Sequence, residues 1–96
     1  MPTKNEPSHV LSDHEQVDAI IKRVNRAQGQ LGAISRMLEE GRNCDEIVIQ
    51  MSAVSKAVHT AAFTLIAASL KECIVEDKKN SQAVTEKLQK LFLSLA

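Results

Sequence analysis

The residues best equipped for chemistry in this 96-residue chain are its two cysteines, Cys44 in "RNCDEIV" and Cys73 in "SLKEC". They stand 29 positions apart, too far for a zinc knuckle or a CxxC redox pair. The N-terminus is polar and the longest apolar run, "AAFTLIAA", is short for a bilayer span. A cytoplasmic protein without membrane contact is therefore expected. In that compartment two thiols point to reactivity or metal binding rather than to a structural staple.

Whether the thiols can act together depends on the element that carries them. "NCDE" at 43–46 has the form of a capping box, with Asn43 as N-cap and Glu46 at the reciprocal position. From there Cys44, Ile47, Met51, Val54, Val58, Ala61, Leu65 and Ala68 alternate steps of three and four, a coiled-coil-like seam. The spacing predicts one helix from about 44 to 76, broken by "EDKKNS" at 76–81. Twenty-nine helical steps exceed eight full turns by only about 20°, so both thiols lie on one stripe, roughly 44 Å apart. Within one chain they cannot meet. Between two antiparallel copies Cys44 faces Cys73, Met51 faces Ile66, Val54 faces Phe63, and Val58 faces His59. The pattern thus predicts a symmetric dimer with two shared dithiol sites. Cys44, in the first turn of its helix, has the dipole that favours thiolate and is the expected nucleophile, with Cys73 as its resolving partner.

The other elements follow from the same periodicities. Residues 1–11 contain both prolines and no repeat, and read as a flexible arm ahead of a single helical domain at 12–96. "SDHE" at 12–15 is a second capping box, with Ser12 as N-cap. Val17, Ile20, Ile21, Val24, Ala27, Leu31, Ile34 and Leu38 then mark a helix that Gly41 ends. Gly29 and Gly32 inside it suggest close approach of another backbone. A short third helix carries Val84, Leu88, Leu91, Phe92 and Leu95, capped by Asn80 or Ser81. The fold class is all-α, with helices long, long and short.

Net charge is zero, yet Lys22, Arg23, Arg26 and Arg36 form a basic stripe with no acid between Lys22 and Met37. Such a stripe permits phosphate binding without requiring it. His9 and His14 lie in or beside the arm, and His59 at the centre of the expected dimer seam. No Ser/His/Asp set, phosphate loop or paired-carboxylate site emerges, so neither an enzyme nor a cofactor is expected.

"IKRVNRAQGQLGAISRML" followed by "NCDEIVIQMSAVSKAV" resembles the copper-sensitive operon repressor (CsoR) family of bacterial transcriptional repressors, over roughly residues 20–75. The resemblance implies a three-helix protomer assembled as a dimer of dimers. It also implies operator DNA binding at rest and release on inducer binding. Lys22 belongs to the basic stripe, and Arg23, Arg26 and Arg36 match basic positions used on DNA; Lys56 and His59 lie near a further one that Thr60 does not fill. In the copper-sensing branch a Cys at Cys44 is joined by a His and a Cys from the other protomer, at Ser69 and Cys73. Serine is a poor ligand for Cu(I), and two other positions tied to copper hold Asn43 and Gln89. Nickel-sensing branches need the same imidazole. The formaldehyde-sensing branch matches Cys44 and Pro2 but has a shorter arm and leaves Cys73 without a role. A Cys pair lacking the imidazole is similar to the CsoR-like sulfurtransferase repressor branch. The expectation is release from DNA when persulfides or related reactive sulfur link Cys44 and Cys73 of neighbouring protomers, with no bound metal.

Overall fold

A computed structural model describes residues 8–76, apart from the side chain of Glu76, and residues 81–96. Three α-helices make up the protomer, and the described residues contain no strand: α1 (His14–Glu39), α2 (Cys44–Glu76) and α3 (Ser81–Leu95). The fold class is the expected all-α one. The break expected after α2, and Asn80 as a cap, fall partly outside the described residues; α3 starts at Ser81.

The N-cap of α1 is Asp13 rather than Ser12. Its side chain accepts from the backbone N–H groups of Glu15 (3.0 Å) and Gln16 (3.4 Å). Ser12 is engaged elsewhere, donating both its N–H and its hydroxyl to Glu72. At the other end of α1, Gly41 takes φ +71°, the left-handed conformation that glycine adopts without steric cost. Arg42 N–H then reaches Met37 C=O at 3.0 Å, and Gly41 N–H reaches Leu38 C=O at 3.2 Å. These two bonds are a Schellman motif, which turns the chain tightly into α2. Asn43 caps α2 as expected, its Oδ1 accepting from Glu46 N–H at 2.9 Å. The return half of that box is missing, because the Glu46 carboxylate pairs with Arg42 instead.

The tight turn folds α1 back along α2, with the entry to α1 beside Glu72 near the far end of α2. Ala27 and Ile34 of α1 meet Ile47 and Val54 of α2 in the core, with Met37 and Ala57 packed at its edge. α3 packs against the C-terminal half of α2, where Phe63 and Phe92 lie 5.0 Å apart between ring centroids. The same half buries Ile66, Ser69 and Cys73, and Val84 of α3 is buried as well.

The seam read along α2 is therefore divided. Its two ridges point in different directions, and α1 takes only one of them: Ile47, Val54 and Ala61 are buried, whereas Met51, Val58 and Leu65 remain exposed. Val54 and Ile66, expected to face a second copy, are interior to the protomer. Val58, Ala61, Ala62 and Leu65 line an apolar groove of ≈ 420 Å³ with residues of α1 that include Val24 and Leu31. Close backbone approach at Gly29 and Gly32 is absent within the protomer. A Cβ at Gly29 would meet nothing within 4 Å, and one at Gly32 would meet only the Arg36 guanidinium, at 3.7 Å.

By length and composition α2 could cross a membrane, although the apolar run "AAFTLIAA" alone is short for that. The difference arises because small apolar residues and uncharged Ser and Thr continue the low-charge stretch beyond it. Its packing against α1 and α3 is that of a helix in a bundle. The turn supplies a direct test of the hairpin: Gly41→Ala forces a Cβ into the left-handed region and should lower stability by about 1 kcal/mol. Urea unfolding at fixed protein concentration measures it, and Gly41→Asn should cost less.

Candidate functional site

Cys44 opens α2 and is exposed, whereas Cys73, near the helix's other end, is only 3 % exposed. The two thiols do not meet in the protomer. At 100° per residue, Cys44, Met51, Val58, Ser69 and Cys73 fall within an arc of about 60°. That stripe is open at its N-terminal end and covered at its C-terminal end. The shared stripe was legible from spacing; the unequal access was not, because it depends on where α3 lies. Ser69, one turn before Cys73, is buried to the same degree, at 5 % exposure. His14 is exposed at the start of α1, and His59 is exposed with its ring 6.3 Å from that of Phe63. Pro2 lies outside the described residues. Among the described residues no group of three or more His, Cys, Asp or Glu could hold a metal ion.

A residue that the sequence did not single out organises this end of the molecule. Glu72, directly before Cys73, gathers the chain that leads into α1. Its Oε1 accepts from Ser12 N–H (3.0 Å), Ser12 Oγ–H (3.1 Å) and His9 Nε2 (2.8 Å), and its Oε2 from Asp13 N–H (2.9 Å). The carboxyl is held down to about 2, chiefly by the Ser12 N–H. Partial desolvation opposes the shift, while His9, the Asp13 N–H and the Ser12 hydroxyl add to it. Part of the expected arm is thus fastened: His9 is largely enclosed, in a hollow with Ser8, Val84, Lys87, Leu88 and Leu91. An acid on an apolar helix, three residues from a serine and next to a cysteine, was the available signal. Nothing in the sequence showed which chain segment would supply the donors. Gln30, likewise not singled out, has a buried side-chain Oε1 without a hydrogen-bond donor among the described residues.

The basic residues form a separate surface. Arg36, Lys22, Arg26 and Arg23 span an arc of about 140° on α1, and all four are exposed. None forms an ion pair among the described residues. Lys56 and His59 are exposed on α2. A helix face with four uncommitted cations suits a polyanion, whereas the thiol stripe suits a soft metal or a sulfur electrophile.

The protomer is thus a three-helix chain with a cysteine at each end of its central helix and a basic face on its first helix. Residues 16–94 match the metal-sensitive transcriptional repressor family, and the chain belongs to that family. It is similar to the copper-sensing transcriptional repressor RicR of Mycobacterium tuberculosis (strain H37Rv), 37 % identical over 60 residues covering 62 % of each chain. Against the copper-sensing transcriptional repressor CsoR of Bacillus subtilis (strain 168) it is 32 % identical over 77 residues, covering 77 % of this chain and 76 % of the relative. The CsoR of Mycobacterium ulcerans is 32 % identical over 82 residues, covering 82 % and 68 %. No solved structure matches.

The lowered Glu72 carboxyl has a measurable consequence. Because its ordinary value is 4.5 and the folded value about 2, the fastening is at full strength above pH about 4.5 and is lost as pH falls toward 2. The amide resonances of Ser12 and Asp13, followed by NMR, should shift together with a midpoint near pH 2. In Glu72→Gln the same transition should vanish.

Proposed function

We propose that this protein is a cytoplasmic, operator-binding repressor that leaves DNA when an inducer is taken up by Cys44 and the partner subunit's Cys73, and that the inducer is copper(I). The observation that carries the reading is the thiol stripe on α2, exposed at Cys44 and unable to close on itself, in a chain of the metal-sensitive repressor family. The similar proteins named above are copper-sensing, which supports the metal. Two thiolates are soft donors that suit Cu(I) in a two-coordinate site. With Ser69 where an imidazole would complete a three-donor set, Ni(II) and Co(II) are poorly served. Such a site needs two protomers, and the apolar side chains left exposed on α1 and α2 supply a surface for that association. A dimer that assembles further into a tetramer is the arrangement proposed.

Lys22, Arg23, Arg26 and Arg36, with Lys56 and His59 beside them, are proposed to meet the phosphate backbone. Their exposure and freedom from ion pairs support this. Ser69 favours a second reading, in which the inducer is reactive sulfur. The Cys44 thiolate would take the outer sulfur of a persulfide R–S–SH, releasing the thiol R–SH and leaving Cys44–S–SH. The partner subunit's Cys73 thiolate would then attack Sγ of Cys44 and expel hydrosulfide, leaving an inter-subunit disulfide. Buried Ser69 places a hydroxyl, not a competing metal ligand, beside the resolving thiol.

Fluorescence anisotropy with DNA from upstream of the protein's own gene separates these readings. Stoichiometric Cu(I) should abolish binding in the wild type and fail to do so in Cys44→Ala or Cys73→Ala. If an organic persulfide releases the DNA, yields a covalent dimer by intact mass, and Cu(I) has no effect, the sulfur reading replaces the copper one. If neither reagent changes affinity, both readings fail. The DNA face has its own test: Arg23→Ala should weaken binding on any sequence and flatten the log K against log [salt] slope by about one for each phosphate it no longer neutralises.

A further inference from the structure

In the proposed function the thiol chemistry has to reach the basic face of α1, and Glu72 ties the Cys73 end of α2 to the start of that helix. Four donors from His9, Ser12 and Asp13 converge on its carboxylate, tying the chain entering α1 to the C-terminal end of α2. Glu72 shares a peptide with Cys73 and stands three residues after Ser69, in the regular helix α2. Cys73 is 3 % exposed, so bringing its sulfur to a ligand shared with another subunit requires this end of α2, or what covers it, to shift. A rigid helix moves neighbouring residues together. Any such shift pulls on the Glu72 bonds. On the receiving side α1 is continuous from His14 to Glu39, and its first basic residues follow Asp13 by only about 15 Å of helix.

We propose that Glu72 is the positioning residue that transmits occupancy of the Cys73 end of α2 to the N-terminal half of α1, and so to Lys22, Arg23 and Arg26. The inference rests on the repressor reading above and adds to it the route of coupling. With the inducer absent, the carboxylate fixes the entry of α1 against α2 and holds the basic residues in their DNA-competent orientation. With the Cys73 end displaced, the donors are drawn off the carboxylate and α1 is released from that orientation.

The test compares coupling and not affinity alone. Operator affinity is measured for wild type and Glu72→Ala with and without the effector to which the wild type responds, Cu(I) or the organic persulfide. A residue that only supports the fold changes both affinities by one factor and leaves their ratio intact. Glu72→Ala should instead reduce that ratio by at least about fivefold, while copper stoichiometry or the covalent-dimer mass stays as in the wild type. If Glu72→Ala loses helicity by circular dichroism, the double variant His9→Ala/Ser12→Ala removes two of the donor side chains and leaves the carboxylate in place. It should lower the ratio in the same direction. A wild-type protein that responds, with variants that respond equally, overturns the link alone. A wild-type protein that keeps its operator affinity with both effectors overturns the repressor reading and the link with it.

Discussion

The fold rests on a single helix that is apolar over most of its circumference. α2 presents Ile47, Val54 and Ala61 to one side, Ile66, Ser69 and Cys73 to another, and Met51, Val58 and Leu65 between them. A helix of that kind needs cover in several directions at once. α1 covers one direction along its length and α3 a second over its C-terminal half, and among the described residues no element covers the third. The exposed residues Val24 and Leu31 of α1 extend the uncovered strip, and the unsatisfied Oε1 of Gln30 lies on the same helix. In the proposed assembly a neighbouring copy would supply the missing cover, which would make association part of completing the core.

The same asymmetry distinguishes the two cysteines. They share one stripe by helical geometry, but α3 reaches only the half that contains Cys73. One thiol meets solvent and the other is enclosed, which suits an order of events in which Cys44 engages a ligand first. The enclosed end also bears a polar network, the four donors on Glu72. A carboxylate on an apolar helix would be costly if its lone pairs were unmet. Here the N–H groups of Ser12 and Asp13, just before α1, and the side chains of His9 and Ser12 meet them, and the positive end of the α1 dipole adds to the fit. The polar cluster beside Cys73 is thereby also the closure of the helical hairpin.

Family membership and donor chemistry bear on different levels of function. Residues 16–94 place the chain in the metal-sensitive transcriptional repressor family. In the proposed function, the choice of inducer would rest on a few side chains around the thiols, where Ser69 stands in place of an imidazole. An overall identity of 32–37 % to copper-sensing relatives is a property of the aligned length and does not single out those few positions. The copper reading therefore leans on relatives and soft donors, and the sulfur reading on one buried serine.

By itself the sequence determined the three helices, the Asn43 cap, the glycine turn at 41, the shared stripe of Cys44 and Cys73 and the basic stripe of α1. All of these follow from local rules: periodicity, capping chemistry and the conformational freedom of glycine act within a few residues. Only the tertiary structure decided how the apolar stripe of α2 is divided between α1 and open surface, since a three-four repeat does not say which ridge a neighbour will take. It alone decided that Cys73 and Ser69 are enclosed while Cys44 is open, because that depends on where α3 returns along α2. It also replaced Ser12 by Asp13 as the cap of α1. Ser12 could have capped by local rules, but its N–H and hydroxyl are drawn to a carboxylate 60 residues away in sequence, and Asp13 supplies the capping oxygen.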